Sequence, residues 1–205
     1  MKQEEKNLLS RQRIMECALK EFSEQGYGLS SINTICSSGN ISKGILYHYF
    51  KDKDEIYLLC VKECFDGLTD YLRTHASMKC GSVQSCLERY FDARLKFFKE
   101  NPMYQRIFCD AIIAPPDHLE KTIQKIKWNF DALNINVLNE LLEHVELRQD
   151  VTRNEVIDTF RQYQDFINAR YQMIGMSEVN AEEREKYCSR ALTILLYGVI
   201  AREEN

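Results

Sequence analysis

Apolar residues recur three and four positions apart along most of this chain, which is the period of an α-helix with one buried face. The pattern predicts a helix through Ile14–Phe22, ending near Gly26-Tyr27. Two short helical stretches follow, on either side of a tight break at Gly39-Asn40. Asp54 to His75 reads as one helix, and Lys79-Cys80-Gly81 breaks the pattern. Ser82 caps a helix to about Glu100, which Asn101-Pro102 ends; Met103–Ile113 stops before Pro115-Pro116. A long helix is predicted from an Asp117 N-cap to about Leu147. Two more cover Thr152–Ile174 and Ala181–Arg202, separated by Gly175 to Asn180. The layout is all-α: a three-helix head, a connecting helix and a five-helix body. The expected division is a helix-turn-helix domain over 1–55 and a helical effector-binding and dimerisation domain over 56–205.

The segment Ser31 to Phe50 is the most informative. Asn40 suits a turn because asparagine tolerates the left-handed backbone region. Ser42 is a good N-cap for a second helix that opens on Lys43 and Gly44. A helix that enters the DNA major groove needs a small, polar first turn so that its backbone comes close to base edges. The segment therefore reads as a DNA-binding helix-turn-helix. The Ser42 hydroxyl has an alternative role, facing a phosphate.

Residues from about Arg11 to Leu59 resemble the DNA-binding domain of the tetracycline-repressor (TetR) family. The likeness rests on Ile14 to Phe22 with Gly26-Tyr27, then Ser30-Ser31-Ile32, Ile35 and Ile41-Ser42-Lys43-Gly44. It continues through Leu46-Tyr47-His48-Tyr49-Phe50 and Lys51-Asp52-Lys53-Asp54-Glu55. Where the family usually has Ala-Gly this chain has Gly39-Asn40, so the glycine is displaced by one position. The resemblance implies double-stranded operator DNA as a partner, with contacts from Ser31, Ser42, Lys43, Gly44, Tyr47, His48, Lys51 and Lys53. It also implies a homodimer built like a four-helix bundle from the last two helices of each subunit, and an unidentified small-molecule effector. It covers the first quarter of the chain, so effector identity does not come with it.

Charge and composition refine this picture. The 205 residues carry a net charge of −4, yet residues 1–55 hold eight Lys and Arg against eight Asp and Glu. A neutral head must segregate its charge by face, with Lys43, Lys51 and Lys53 around the second helix and the acids of the first helix turned away. Such a head favours short-range, groove-dependent binding over strong nonspecific attraction. Only 8 Gly and 3 Pro suit long helices. The polar Met1–Asn7 and the lack of any apolar run of spanning length predict a cytoplasmic chain that does not enter a membrane. The eight cysteines are scattered with no C-x-x-C, so buried thiols are the simplest reading, with Cys80 and Cys86 as a sharper redox candidate pair. The four histidines lack metal-ligand spacing with the cysteines, and neither metal nor cofactor is expected.

The body offers candidates of its own. On the helix at 82–100, Val83, Leu87, Tyr90, Phe91 and Phe98 form an apolar stripe with Arg94 near its centre. A guanidinium there needs a partner: either an internal carboxylate or an anionic or carbonyl-bearing effector. Phe91, Arg94, Phe98, Tyr104, Phe108 and Phe130 are the candidate pocket residues. Helix 117–147 is apolar on two faces, Ile123, Ile126, Phe130, Leu133 and Val137 on one, Trp128, Ile135, Leu138 and Leu142 on the other. Phe160, Tyr163, Ile167, Arg170, Ala191, Leu195 and Gly198 are the candidate dimer interface, with intramolecular packing as the competing explanation. The favoured function is a ligand-responsive regulator, a repressor released from a near-palindromic operator. The alternative is an all-α small-molecule-binding protein or enzyme with no role on DNA. No nucleophile–base pair, phosphate loop or set-apart carboxylate pair supports an enzyme.

Overall fold

The computed structural model describes residues 3–76, 81–174 and 181–199. Among them ten helices and no strand occur. They are α1 (Gln3–Leu29), α2 (Ile32–Gly39), α3 (Lys43–Tyr49), α4 (Lys53–His75), α5 (Val83–Glu100), α6 (Pro102–Ile113), α7 (Glu120–Ile126), α8 (Trp128–Glu143), α9 (Arg153–Ile174) and α10 (Ala181–Val199). The breaks expected at Lys79-Cys80 and Gly175–Asn180, the end of the last helix beyond Val199, and Cys80 itself lie outside the described residues.

Two expectations change. The helix predicted over 117–147 is two helices that meet at Lys127, whose N–H turns back to the carbonyls of Ile123 and Lys125. The two apolar faces belong in part to two different helices, and Trp128, at the start of the second, is exposed. The body beyond α4 therefore holds six described helices. Asp117 does not cap: α7 starts after Leu119, with Asp117 exposed in the preceding turn. In α1, Gly26 takes φ 70° and breaks the helical path. A Cβ there would lie 3.0 Å from Asp110 Oδ2 and 3.1 Å from Arg106 Nη2, so glycine answers both the backbone angle and the close approach of α6.

The chain forms two compact units that are not simple lengths of sequence. One holds Met1–Phe65 with Asn101–Lys127, the other Asp66–Glu100 with Trp128–Asn205. In the first, Ile14, Ala18, Phe22, Ile35 and Leu46 join the head helices, and Tyr57, Phe65, Ile107 and Phe108 add α4 and α6 to the same core. The second closes on Leu68, Leu72, Leu87, Phe97, Leu138, Ile167 and Leu196. Six described cysteines are free, and burial pushes the Cys36, Cys60, Cys64 and Cys188 thiols up, away from the reactive thiolate. Cys86, by contrast, is disulfide-bonded. No group of three metal-binding side chains occurs among the described residues, and no described helix is long and apolar enough to cross a membrane.

Candidate nucleic-acid interface

The turn between α2 and α3 is built from caps. Ser31 precedes α2 in extended conformation, and its hydroxyl accepts from the Asn33 N–H at 3.1 Å. The Ser31 N–H donates to Glu21 Oε1 at 2.9 Å, a carboxylate buried on α1. Glu21 is therefore not one of the acids turned away: it holds the start of α2, because an unpaired backbone N–H there would cost the turn its position. Asn40 closes α2 in the left-handed region, φ 50° and ψ 48°, and its N–H reaches back to Cys36 and Ser37. The Gly39 Cα carries no Cβ, and one added would meet Ile41 Cδ1 at 2.6 Å and Cys17 Sγ at 3.1 Å. The displaced glycine thus serves packing, and the asparagine supplies the turn. Ser42 caps α3 by accepting from the Ile45 N–H at 3.3 Å.

This arrangement aims α3. Leu46 is fully buried and fixes which side points inward. Lys43, Gly44, Tyr47 and His48 are exposed on the other sides. The C-terminal end is anchored to α1: Tyr49 OH donates to Asn7 Oδ1 at 3.1 Å, and the Arg11 guanidinium sits 5.3 Å from the Phe50 ring centre. The His48 ring packs edge-on against Tyr49 at 4.9 Å. A short helix held at both ends and open along one side can be laid in a groove as a rigid body.

The two remaining lysines differ. Lys51 is exposed just past α3. Lys53 is half-buried, its ammonium donating to the carbonyls of Tyr27 at 2.8 Å and Ser30 at 3.3 Å and lying 4.1 Å over the Tyr27 ring. Beside it, Tyr27 OH donates to Asp54 Oδ1, and His118 Nε2 lies 3.0 Å from Asp54 Oδ2. These hydrogen bonds, the one from Tyr27 first, hold the Asp54 carboxyl below its ordinary range. Burial and the Asp54 charge push the Tyr27 phenol up to about 12. Nothing in the sequence spacing of residues 27, 54 and 118 announces this cluster.

The second unit answers the Arg94 question. Arg94 is buried, and its Nη2 meets Glu185 Oε1 at 3.0 Å. Arg184 Nη1 meets the same oxygen at 3.0 Å, while its Nη2 donates to Asn168 Oδ1 at 2.7 Å. The guanidinium of Arg94 also lies 5.5 Å from the Phe91 ring centre and 5.3 Å from that of Phe130. The structure thus supplies the internal carboxylate that the sequence left as one of two readings. Phe91, Arg94 and Phe130 come together and Phe98 is buried in the same unit, whereas Tyr104 and Phe108 belong to the other unit. A separate small cleft of about 70 Å³ is lined by Val83, Leu87, Leu196 and Tyr197 among others.

The candidate dimer residues divide by face. Phe160 and Ile167 are buried within the unit. Tyr163, Phe166, Arg170 and Met173 share the adjacent side of α9, within a sector of about 80° at helical spacing, and Phe166, Arg170 and Met173 are exposed. On α10, Tyr187, Ala191, Ile194 and Gly198 share a sector of about 60°. Tyr187, Ile194 and Gly198 are exposed, and Ala191 and Leu195 are half-buried. A Cβ on Gly198 would meet nothing within 4 Å. Phe166, Met173, Tyr187 and Ile194 are exposed large apolar residues on these same sides of α9 and α10.

Comparison with known proteins agrees with this geometry. Residues 14–60 match the sequence profile of bacterial regulatory proteins of the tetR family. The chain is 27% identical over 136 residues to the biofilm operon icaADBC HTH-type negative transcriptional regulator IcaR of Staphylococcus epidermidis, covering 65% of this chain and 68% of that one. To IcaR of Staphylococcus aureus (strain Newman) it is 32% identical over 105 residues, 51% of this chain and 55% of the relative. Among solved structures, FadR from Bacillus subtilis in complex with stearoyl-CoA aligns with a TM-score of 0.66 at 14% identity, covering 89% of this chain and 97% of FadR. A TetR-family regulator from Chloroflexus aurantiacus aligns at 0.62 and 22% identity, covering 94% of each chain. The capped turn and the open helix are the features these helix-turn-helix regulators share over the matched region. Residues 14–60 carry the tetR-family profile, and the chain is similar to transcriptional regulators of that kind.

Proposed function

We propose that the protein is a repressor that binds a near-palindromic operator as a homodimer and releases it when a small molecule binds the helical body. The observation that carries the DNA reading is α3: capped by Ser42, anchored by Leu46 and Tyr49, and open along the side bearing Gly44 and His48. The name of IcaR, a negative regulator, supports repression. The working division is a DNA-binding head over 1–55 and an effector-binding and dimerisation body over 56–205. Ser31 and Ser42 present capped helix starts to phosphates, Lys43 and Lys51 add charge, and Gly44 admits the backbone to the groove. Tyr47 and His48 contact the sugar-phosphate backbone. Lys53 acts through position, since its ammonium already holds the carbonyls of Tyr27 and Ser30.

Dimerisation follows from the exposed apolar sides of α9 and α10, which a second copy of the same helices would cover. Two recognition helices then meet successive major grooves on one face of B-DNA, which repeat at about 34–36 Å. An effector that favours a different spacing weakens both half-sites together, a population shift that needs only a few kcal/mol of differential affinity. FadR of B. subtilis holds stearoyl-CoA, so long-chain acyl-CoAs are sensible first probes beside any ligand retained from the expression host. Expected results are sequence selection from a random duplex pool, and severe loss of binding by Tyr47→Ala with unchanged helix content. Unaltered affinity in Tyr47→Ala would remove α3 from the interface.

A further inference from the structure

Ile45 is an isoleucine on the side of α3 that the fold leaves open. With Leu46 pointing inward, Gly44 and His48 lie nearest the outward direction, and Ile45 and Tyr47 flank them at about 80° to either side at helical spacing. Ile45 is 46% exposed and Tyr47 53%. The neighbouring Gly44 leaves space: a Cβ there would meet only Ser42 Oγ, at 3.9 Å. A helix that settles on its glycine lies deep in the groove, so that a side chain on its flank comes within reach of the base edges there. Lys43 and Lys51 have phosphates to meet, and Tyr47 and His48 have polar tips. Ile45 has neither charge nor hydrogen-bonding group, and the major groove offers an apolar side chain one distinctive apolar feature, the 5-methyl group of thymine.

We propose that Ile45 is a specificity-determining residue that reads a thymine in each half-site through its 5-methyl group. The inference rests on the reading of α3 as the groove helix. Cytosine at that position offers an amino group and no methyl, so Ile45 would strand a polar base edge against an apolar side chain. Uracil would keep every hydrogen-bonding atom of thymine and lose only the methyl contact. Tyr47, on the other flank and ending in a hydroxyl, does not duplicate the role.

The test uses the full-length protein. A site is selected from a random duplex pool, and fluorescence anisotropy is then measured on duplexes in which each thymine is replaced in turn by deoxyuridine. For the unaltered protein, one position per half-site should lose about fourfold in affinity, the partition value of one methyl group. Ile45→Ala should bind the thymine operator more weakly and be indifferent to uracil at that position alone, keeping its response elsewhere. Placing 5-methylcytosine there should recover part of what cytosine loses. Because Ile45 is exposed, circular dichroism melts of Ile45→Ala should match the unaltered protein. A selected site with the same uracil profile in both proteins would overturn the assignment and leave the groove reading intact. A folded protein that selects no sequence would instead remove the groove reading itself.

Discussion

Tyr57 shows how much a single atom can reveal. The residue is fully buried on α4, edge-on to Phe22 at 5.1 Å and beside Tyr27 at 4.9 Å. Its hydroxyl has no hydrogen-bond partner among the described residues. Burial pushes the phenol far up, and the Asp110 charge adds to the effect. A buried hydroxyl without a partner costs about 1–3 kcal/mol of desolvation. Tyr57→Phe should therefore melt at the same temperature or higher, with the ring contacts kept. A fall of several degrees would mean that the hydroxyl has a bound water or an acceptor. The sequence could not announce this: a tyrosine at a core position looks the same whether or not its hydroxyl is satisfied. The helix-turn-helix was legible for the opposite reason. Asn40, Ser42 and Gly44 act through their own backbone, and residue type alone reports backbone chemistry.

At the level of elements, the structure joins helices through polar clusters that no spacing rule finds. Tyr27 of α1, Asp54 of α4 and His118 before α7 form one within the first unit. Asp54 titrates below its ordinary range, so its contribution is present above the unfolded value of about 4 and is lost as pH falls through the lower folded value. Asp54→Asn should lower the melting temperature at pH 7, and the gap should narrow as pH falls below the unfolded value of about 4. The side chain is 35% exposed, so solvent screening limits the effect to about 1 kcal/mol or less. A pH-independent gap would assign the loss to packing. In the second unit, Arg94, Arg184, Glu185 and Asn168 tie α5, α9 and α10. Arg94→Met should destabilise at the low end of about 3–5 kcal/mol, since Glu185 would keep Arg184 but lose half its counter-charge. Unchanged thermal melts would return Arg94 to the effector reading. The pattern placed Arg94 on the core stripe; its partner, 91 residues away, is set by tertiary packing alone.

For the whole molecule, the exposed apolar sides of α9 and α10 predict the assembly. Gly198→Leu should weaken or abolish the dimer in light scattering while leaving the monomer folded, because a Cβ at that position meets no atom of the described residues within 4 Å. The loss from an overpacked seam is about 1–3 kcal/mol. A fully dimeric variant would move the interface elsewhere. The helical periodicity mixed the faces of α9, since Phe160 and Ile167 are as apolar as Phe166 and Met173 and only the packed structure separates buried from exposed. The split of 117–147 escaped notice for a similar reason. Lys127 carries no proline or glycine signal, and apolar residues on both sides of it keep helical phase.

The way the chain is shared between its compact units has a consequence for how such a regulator can be cut and rebuilt. The backbone passes from one unit to the other at residues 65–66, 100–101 and 127–128. The pair Arg106–Asp110, set against Gly26, is carried by a segment that the head's own sequence does not contain. A fragment ending near residue 65 would expose the apolar surface that α6 covers on α1, and a fusion joined there would inherit an incomplete core. A transplantable version would need residues 101–127 supplied as well, by circular permutation or as a second chain. New specificities are therefore more readily grafted by exchanging side chains on α3 than by swapping the head as a block.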